Sequence, residues 1–218
     1  MRIPQHTKLV MIGDSITDCN RARPVGEGVG DALGNGYVSM INALIASTDP
    51  TSDIRVVNMG VSGNTVRDLK ARWQTDALDL SPQWLSVMIG INDIARHYNR
   101  RQIREFHVSV EEYERTLDEL IASAVEGGVQ GLVLMAPFFI ENNSDDTIRR
   151  MTAEYGAAMR RVADRYGAIF VDVQAAFDRY LEHHYSMEIA LDRIHPTPIG
   201  HMIIARAWLD AVGYRWNP

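Results

Sequence analysis

The sequence predicts a three-layer α/β/α sandwich built on a five-stranded parallel sheet. Three observations carry the prediction. Short, nearly continuous runs of Val, Ile, Leu and Met recur along the chain, as expected of strands covered on both faces. Amphipathic segments with helical spacing separate these runs. Strand and helix alternate along all 218 residues without a repeat, a low-complexity tract or a linker, which describes a single domain over 1–218.

Leu9 to Gly13 is the first strand, and Val38, Ile41, Leu44 and Ile45 form the stripe of a following helix. Ile54 to Asn58 and Leu85 to Ile89 are the second and third strands. Ser109 with Glu112 makes a capping box ahead of Tyr113, Leu117, Leu120 and Ile121. Gly131 to Ala136 is the fourth strand; the stripe Met151, Tyr155, Met159, Val162 and Ala163 leads to the fifth, Ile169 to Val173. The last helix has Thr197 as N-cap, Pro198 at its first position and Gly213 just past its end. By analogy with the flavodoxin-like layout the strand order is 2-1-3-4-5. Ligands then bind beyond the carboxyl ends of the strands, in the crevice between strands 1 and 3 where the order reverses.

Composition excludes several classes. With 46% hydrophobic and 23% charged residues the chain can bury one sizeable core. A net charge of -6 argues against nucleic acid, which needs clustered Lys and Arg. The single cysteine, Cys19, forms no internal disulfide and no Cys-based zinc site, and it suits a reducing compartment. No run approaches the roughly 18 apolar residues of a membrane span, and the N-terminus MRIPQHTKLVMIG lacks the apolar core of a signal peptide. A cytoplasmic protein without membrane or nucleic-acid partners is expected.

The loops at the predicted crevice carry Gly13-Asp14-Ser15, Gly60-Val61-Ser62-Gly63-Asn64, Gly90-Ile91-Asn92-Asp93 and Asp192-Arg193-Ile194-His195-Pro196. A lone Gly-Asp-Ser is commonly a turn or cap, and a lone Gly-x-Asn-Asp commonly a loop. Their convergence on one crevice is what makes them informative. Acyl transfer needs a nucleophile, a base, a group orienting the base and donors for the oxyanion. Ser15, at a helix N-terminus, is the candidate nucleophile, His195 the base and Asp192 its orienting carboxylate. The Ser15 and Gly63 N–H groups and the Asn92 amide are the candidate oxyanion donors.

These four blocks, in this order, resemble those of SGNH (GDSL-type) hydrolases. The stretches GDSITDCNRARPVGEG, RVVNMGVSGNTVRDLKARWQ, LMAPFFIE and DRIHPTPIGHMIIARAWL are similar to the branch of bacterial acetyl-xylan esterases. The resemblance implies the SGNH-hydrolase fold and a serine esterase that needs neither cofactor nor metal. It implies an acetylated sugar as substrate, expected as short xylo-oligosaccharides inside the cell. Two rival readings remain: a thioesterase or lysophospholipase of the same superfamily, and a non-catalytic sugar-binding module.

Asp14, Asn64, Arg21 and Phe138 are candidates for substrate contact. Asp14 is expected chiefly to orient its turn, Asn64 to brace the oxyanion loop, and Phe138 with Phe139 to line the pocket. Asp93 is expected to cap a helix and hold Asn92. The glycine-rich stretch Cys19 to Gly36 is not a dinucleotide fingerprint, since Gly28-Val29-Gly30 lacks the third glycine; an active-site loop is expected, with Arg21 and Arg23 holding it or touching substrate. His201, six residues beyond His195, is expected to face elsewhere on its helix, and no third metal ligand joins Asp192 and His195. Tyr214 and Trp216 either dock on the core or make a subunit contact, so a homo-oligomer is expected.

Overall fold

The structure is a computed structural model that describes residues 1–216; Asn217 and Pro218 lie outside the described residues. Its parallel sheet contains β1 (Lys8–Gly13), β2 (Arg55–Gly60), β3 (Trp84–Met88), β4 (Gly131–Met135) and β5 (Ile169–Val171). The spatial order is β2-β1-β3-β4-β5, as the sequence predicts. In register, Gly13 at the end of β1 faces Gly60 on β2 and Met88 on β3. Three carboxyl ends therefore finish at one level, and the loops that follow them start side by side.

Alternation along β1 assigns the layers. Leu9 and Met11 face α2 (Tyr37–Thr48), α8 (Val173–Leu181) and α9 (Pro198–Ala211), joining Ile41, Phe177 and Trp208 in one core. Val10 and Ile12 face the opposite layer, where they join Leu69 of α3 (Val66–Ala71), Trp73 of α4 (Trp73–Asp76), Leu117 of α6 (Val110–Glu126) and Tyr155 of α7 (Thr147–Arg165). The central polar residue Ser86 is satisfied, since its Oγ accepts from the Trp208 indole at 3.1 Å. Among the described residues no helix is long and apolar enough to cross a membrane.

Two local expectations change. Ser109 does cap α6, accepting from the Glu112 N–H at 3.2 Å. The Glu112 carboxylate, however, pairs with Arg67 of α3 instead of closing the box, because a cation from the neighbouring helix lies within 2.5 Å. Thr197 stands at the N-cap of α9 with Pro198 behind it, but its side chain makes no capping bond. Tyr214 docks on the core side, its hydroxyl 2.8 Å from Thr48 Oγ1, while Trp216 remains 40% exposed.

Candidate active site

β1 ends at Gly13, and Asp14 turns the chain. Asp14 Oδ1 accepts from the Ile16 N–H at 3.0 Å, which starts α1 (Ser15–Asp18) at Ser15. Cys19 ends the helix in the left-handed region, at φ 40°. The expected helix N-terminus is thus a single turn, too short to build a full macrodipole. What it offers at Ser15 is a backbone N–H with no acceptor among the described residues.

Ser15 Oγ lies 2.8 Å from His195 Nε2, and His195 Nδ1 lies 2.6 Å from Asp192 Oδ2. Asp192 Oδ1 also accepts from the backbone N–H groups of Ile194 at 3.0 Å and His195 at 2.8 Å. Burial raises the Asp192 carboxyl, but the hydrogen bonds from His195 and from these amides outweigh it and hold it below the usual range. The carboxylate is therefore ionised at neutral pH. As it can only accept, Nδ1 must carry the proton, leaving Nε2 as an acceptor for the Ser15 hydroxyl.

The second loop is held from beneath. Asp18 Oδ2 accepts from Ser62 N at 3.0 Å, from Ser62 Oγ at 2.8 Å and from Arg23 at 2.6 Å. Gly60 lets this loop cross α1, since a Cβ there would stand 2.2 Å from Asp18 N. Gly63 follows with φ +83°, a conformation that favours glycine. From the third loop, Asn92 on α5 (Ile91–Asn99) donates one amide hydrogen to Asn64 O at 3.1 Å, and its second is free. Ser15, Gly63, Asn92 and His195 line one cleft of about 560 Å³ with Ile16, Cys19, Asn20, Asn35, Ser62, Arg96, Pro196 and His201. The structure thus brings together the five residues singled out for acyl transfer.

The substrate-contact candidates fare differently. Phe138 is fully buried against Phe177, with ring centroids 4.6 Å apart, and Phe139 is 2% exposed; neither reaches the cleft, because the chain after β4 turns inward over α8. Arg21 is 5% exposed and spends its donors on the carbonyls of Gly60, Ala22 and Pro24, at 2.7, 2.9 and 2.7 Å. It fastens the glycine-rich loop and is removed from substrate. Asp14 is 1% exposed, and burial pushes its carboxyl up to about 7 despite the hydrogen bond from the Ile16 N–H. It lies under the site without facing the cleft. Asn64 is not among the residues lining the cleft; its carbonyl accepts from Asn92 at 3.1 Å and its Oδ1 from Arg72 Nε at 2.6 Å. Asp93 caps α3 rather than its own helix, accepting from Val66 N at 3.0 Å, and burial raises its carboxyl to about 8.

His201 does not face elsewhere. It is 7% exposed and lines the cleft, with Nδ1 accepting from the Tyr37 N–H at 3.3 Å and Nε2 lying 3.3 Å from Cys19 Sγ. Burial, with the nearby His195, lowers its pKa to about 4, so it stays neutral beside the other histidine. Arg96 is another cleft residue the sequence did not single out, its Nη2 3.3 Å from Gly63 O. Neither belongs to the four short blocks; helical spacing from Asn92 and from Pro198 is what could have placed them near the site.

Residues 11–203 match the profile of the GDSL-like Lipase/Acylhydrolase family. The chain belongs to this family. It is 49% identical over 216 residues to the acetylxylan esterase of Geobacillus stearothermophilus, covering 99% of this chain and 98% of that one. The crystal structure of that enzyme, Axe2, superposes with a TM-score of 0.97 over the same shares. Three solved variants of it are catalytic mutants, with a serine, an aspartate or a histidine replaced by alanine. LAE5, an alpha/beta hydrolase enzyme from the metagenome of Lake Arreo, is 49% identical with a TM-score of 0.95, over 98% of each chain. This GDSL-family member thus shares the fold of Axe2 nearly end to end.

Proposed function

We propose that this chain is a serine esterase that removes O-acetyl groups from acetylated xylo-oligosaccharides. The observation that carries the reading is the chain of hydrogen bonds Ser15–His195–Asp192, at 2.8 and 2.6 Å, in a cleft that Gly63 and Asn92 also line. Ser15 Oγ attacks the acetyl carbonyl while His195 Nε2 takes its proton. The carbonyl oxygen becomes an anion that receives the three N–H groups, which need no reorientation at that moment. Collapse breaks the bond to the sugar oxygen, and His195 returns the proton to it. Water, deprotonated by the same nitrogen, then releases acetate and regenerates Ser15.

The sugar is supported by similarity to the Geobacillus acetylxylan esterase, of which one variant is titled an acetyl-xylooligosaccharide esterase. It is also supported by the cleft. Asn20, Asn35, Ser62, Arg96 and His201 line it beside Ile16 and Pro196, so it offers several polar side chains to a hydroxyl-rich ligand. A binding module would not need the Asp192–His195 pair. The reading carries with it a single domain over 1–218, a cytoplasmic location, which a lone cysteine fits, and a homo-oligomer, for which exposed Trp216 is a candidate contact.

Hydrolysis of p-nitrophenyl acetate by wild type and Ser15→Ala tests the nucleophile, with loss of turnover expected in the variant and equal rates overturning it. Mass spectrometry of acetylated xylo-oligosaccharides tests the substrate, with successive losses of acetyl expected. Turnover that rises from acetyl to octanoyl esters would favour a lysophospholipase or thioesterase instead.

A further inference from the structure

Arg72 follows α3 and sits outside the four blocks that mark the chemistry. Its side chain is only 14% exposed and does not line the cleft. Its guanidinium makes four contacts. Nη2 donates to Gly13 O at 2.8 Å, and Nη1 to Met59 O at 2.7 Å and to Asp76 Oδ2 at 3.0 Å. Nε donates to Asn64 Oδ1 at 2.6 Å. Three of these acceptors belong to the segments that present the oxyanion donors. Gly13 lies two residues before Ser15, and Met59 lies in the strand that leads into Gly63. Asn64 follows Gly63 and takes one amide hydrogen of Asn92 on its carbonyl at 3.1 Å.

We propose that Arg72 is a positioning residue for the oxyanion hole: by joining Gly13, Met59 and Asn64 it fixes the spacing of the Ser15, Gly63 and Asn92 donors. The inference rests on the acyl-transfer reading above. A planar guanidinium suits the task because its donors point along two edges at fixed angles. An ammonium has three donors at one point, too few for the four acceptors that the guanidinium holds. Arg72 touches neither substrate nor Ser15, so its effect is on where the donors stand. A misplacement near 1 Å costs on the order of 100-fold in rate.

The test is Arg72→Lys, with kcat and KM measured on p-nitrophenyl acetate and melting temperature recorded alongside. The expected result is a kcat lower by about 100-fold with KM within about threefold, since the lost interaction acts in the transition state. In an Asn92→Ala background the further loss should be smaller, because one of the positioned donors is already gone. Equal losses in both backgrounds, or a change confined to KM, overturn the proposal. Should Arg72→Lys fail to fold, Asn64→Ala cuts only the side-chain link and keeps the carbonyl that holds Asn92. It should lower kcat about tenfold, and an unchanged kcat overturns the proposal. Labelling by diisopropyl fluorophosphate separates this inference from the substrate assignment. Ser15 Oγ displaces fluoride while the phosphoryl oxygen occupies the donors' site. A wild type that labels readily but leaves acetyl esters intact refutes the substrate alone. Arg72→Lys labelling as fast as wild type refutes the role of Arg72.

Discussion

Asn92→Ala isolates one donor from the rest of the machinery. In the structure the Asn92 amide has two hydrogens, one on Asn64 O at 3.1 Å and one facing the cleft. Truncation removes both. The first is a half-buried neutral hydrogen bond, worth about 1 kcal/mol of stability, or about 2–4 °C in melting temperature for a chain of this size. The second is a donor to the oxyanion, and losing it costs about 2.7–4 kcal/mol of transition-state stabilisation, or roughly 100- to 1,000-fold in kcat. The two figures differ enough to be separated. Steady-state hydrolysis of p-nitrophenyl acetate, with a thermal melt of the same preparation, should show a large fall in kcat on a nearly unchanged fold. Asn92→Asp sharpens the test, because it keeps the shape, removes the N–H and sets a carboxylate against the oxyanion; it should be slower than the alanine variant. A kcat within about tenfold of wild type for Asn92→Ala would refute the assignment.

Other consequences follow from the same geometry. Asp192→Asn keeps the shape but removes the charge that fixes the proton on His195 Nδ1, so kcat should fall by up to about 10,000-fold, as in the Ser-His-Asp template; a loss below tenfold would show that the backbone alone orients the ring. Asp93 holds its proton up to about pH 8 when folded, against an ordinary value of 3.8. At this site the unfolded chain therefore binds fewer protons through that window, and the Asp93 contribution to stability should fall as pH rises from about 4 to about 8. Asp93→Asn, which still accepts from Val66 N, should flatten that slope in melting curves, and an unchanged slope would contradict the burial argument. Gly60→Ala drives a Cβ to 2.2 Å from Asp18 N and 2.6 Å from Asp18 Cα, both backbone atoms. Overpacking of this kind costs about 1–3 kcal/mol or more, so the melting temperature should drop by at least several degrees; an unchanged melt would mean that the α1 turn yields.

Some features were legible because their signals are local. Each strand lies within two residues of its apolar run, since a strand covered on both faces must be apolar throughout. The alternation of elements announces a doubly wound parallel sheet, and the observed order is that of the flavodoxin-like layout taken by analogy. Asp192 and His195, three residues apart, meet because one short loop spans that distance. Ser15, Gly63 and Asn92 each follow directly on a strand end, so the sheet alone brings them near one another.

Other features depended on what the rest of the chain brings to a residue. Phe138 and Arg21 both follow strand-end or helix-end segments that lead toward the site, yet one is sealed against Phe177 and the other is held by three carbonyls. Glu112 stood in a capping box until Arg67 of another helix offered a charged partner. Arg72 and His201 stand in stretches that carry the resemblance, yet their roles were not legible, because their partners, Gly13 and Tyr37 among them, are distant in sequence. By itself the sequence determined the strands of the sheet and the residues that arrive at its carboxyl edge, while their order came by analogy with a known layout. Only the tertiary structure decided which polar groups among them face the cleft and which are buried as its supports. Periodicity and capping act within a few residues, whereas the burial of a side chain and the choice of its hydrogen-bond partner are settled by elements packed against it from elsewhere in the chain.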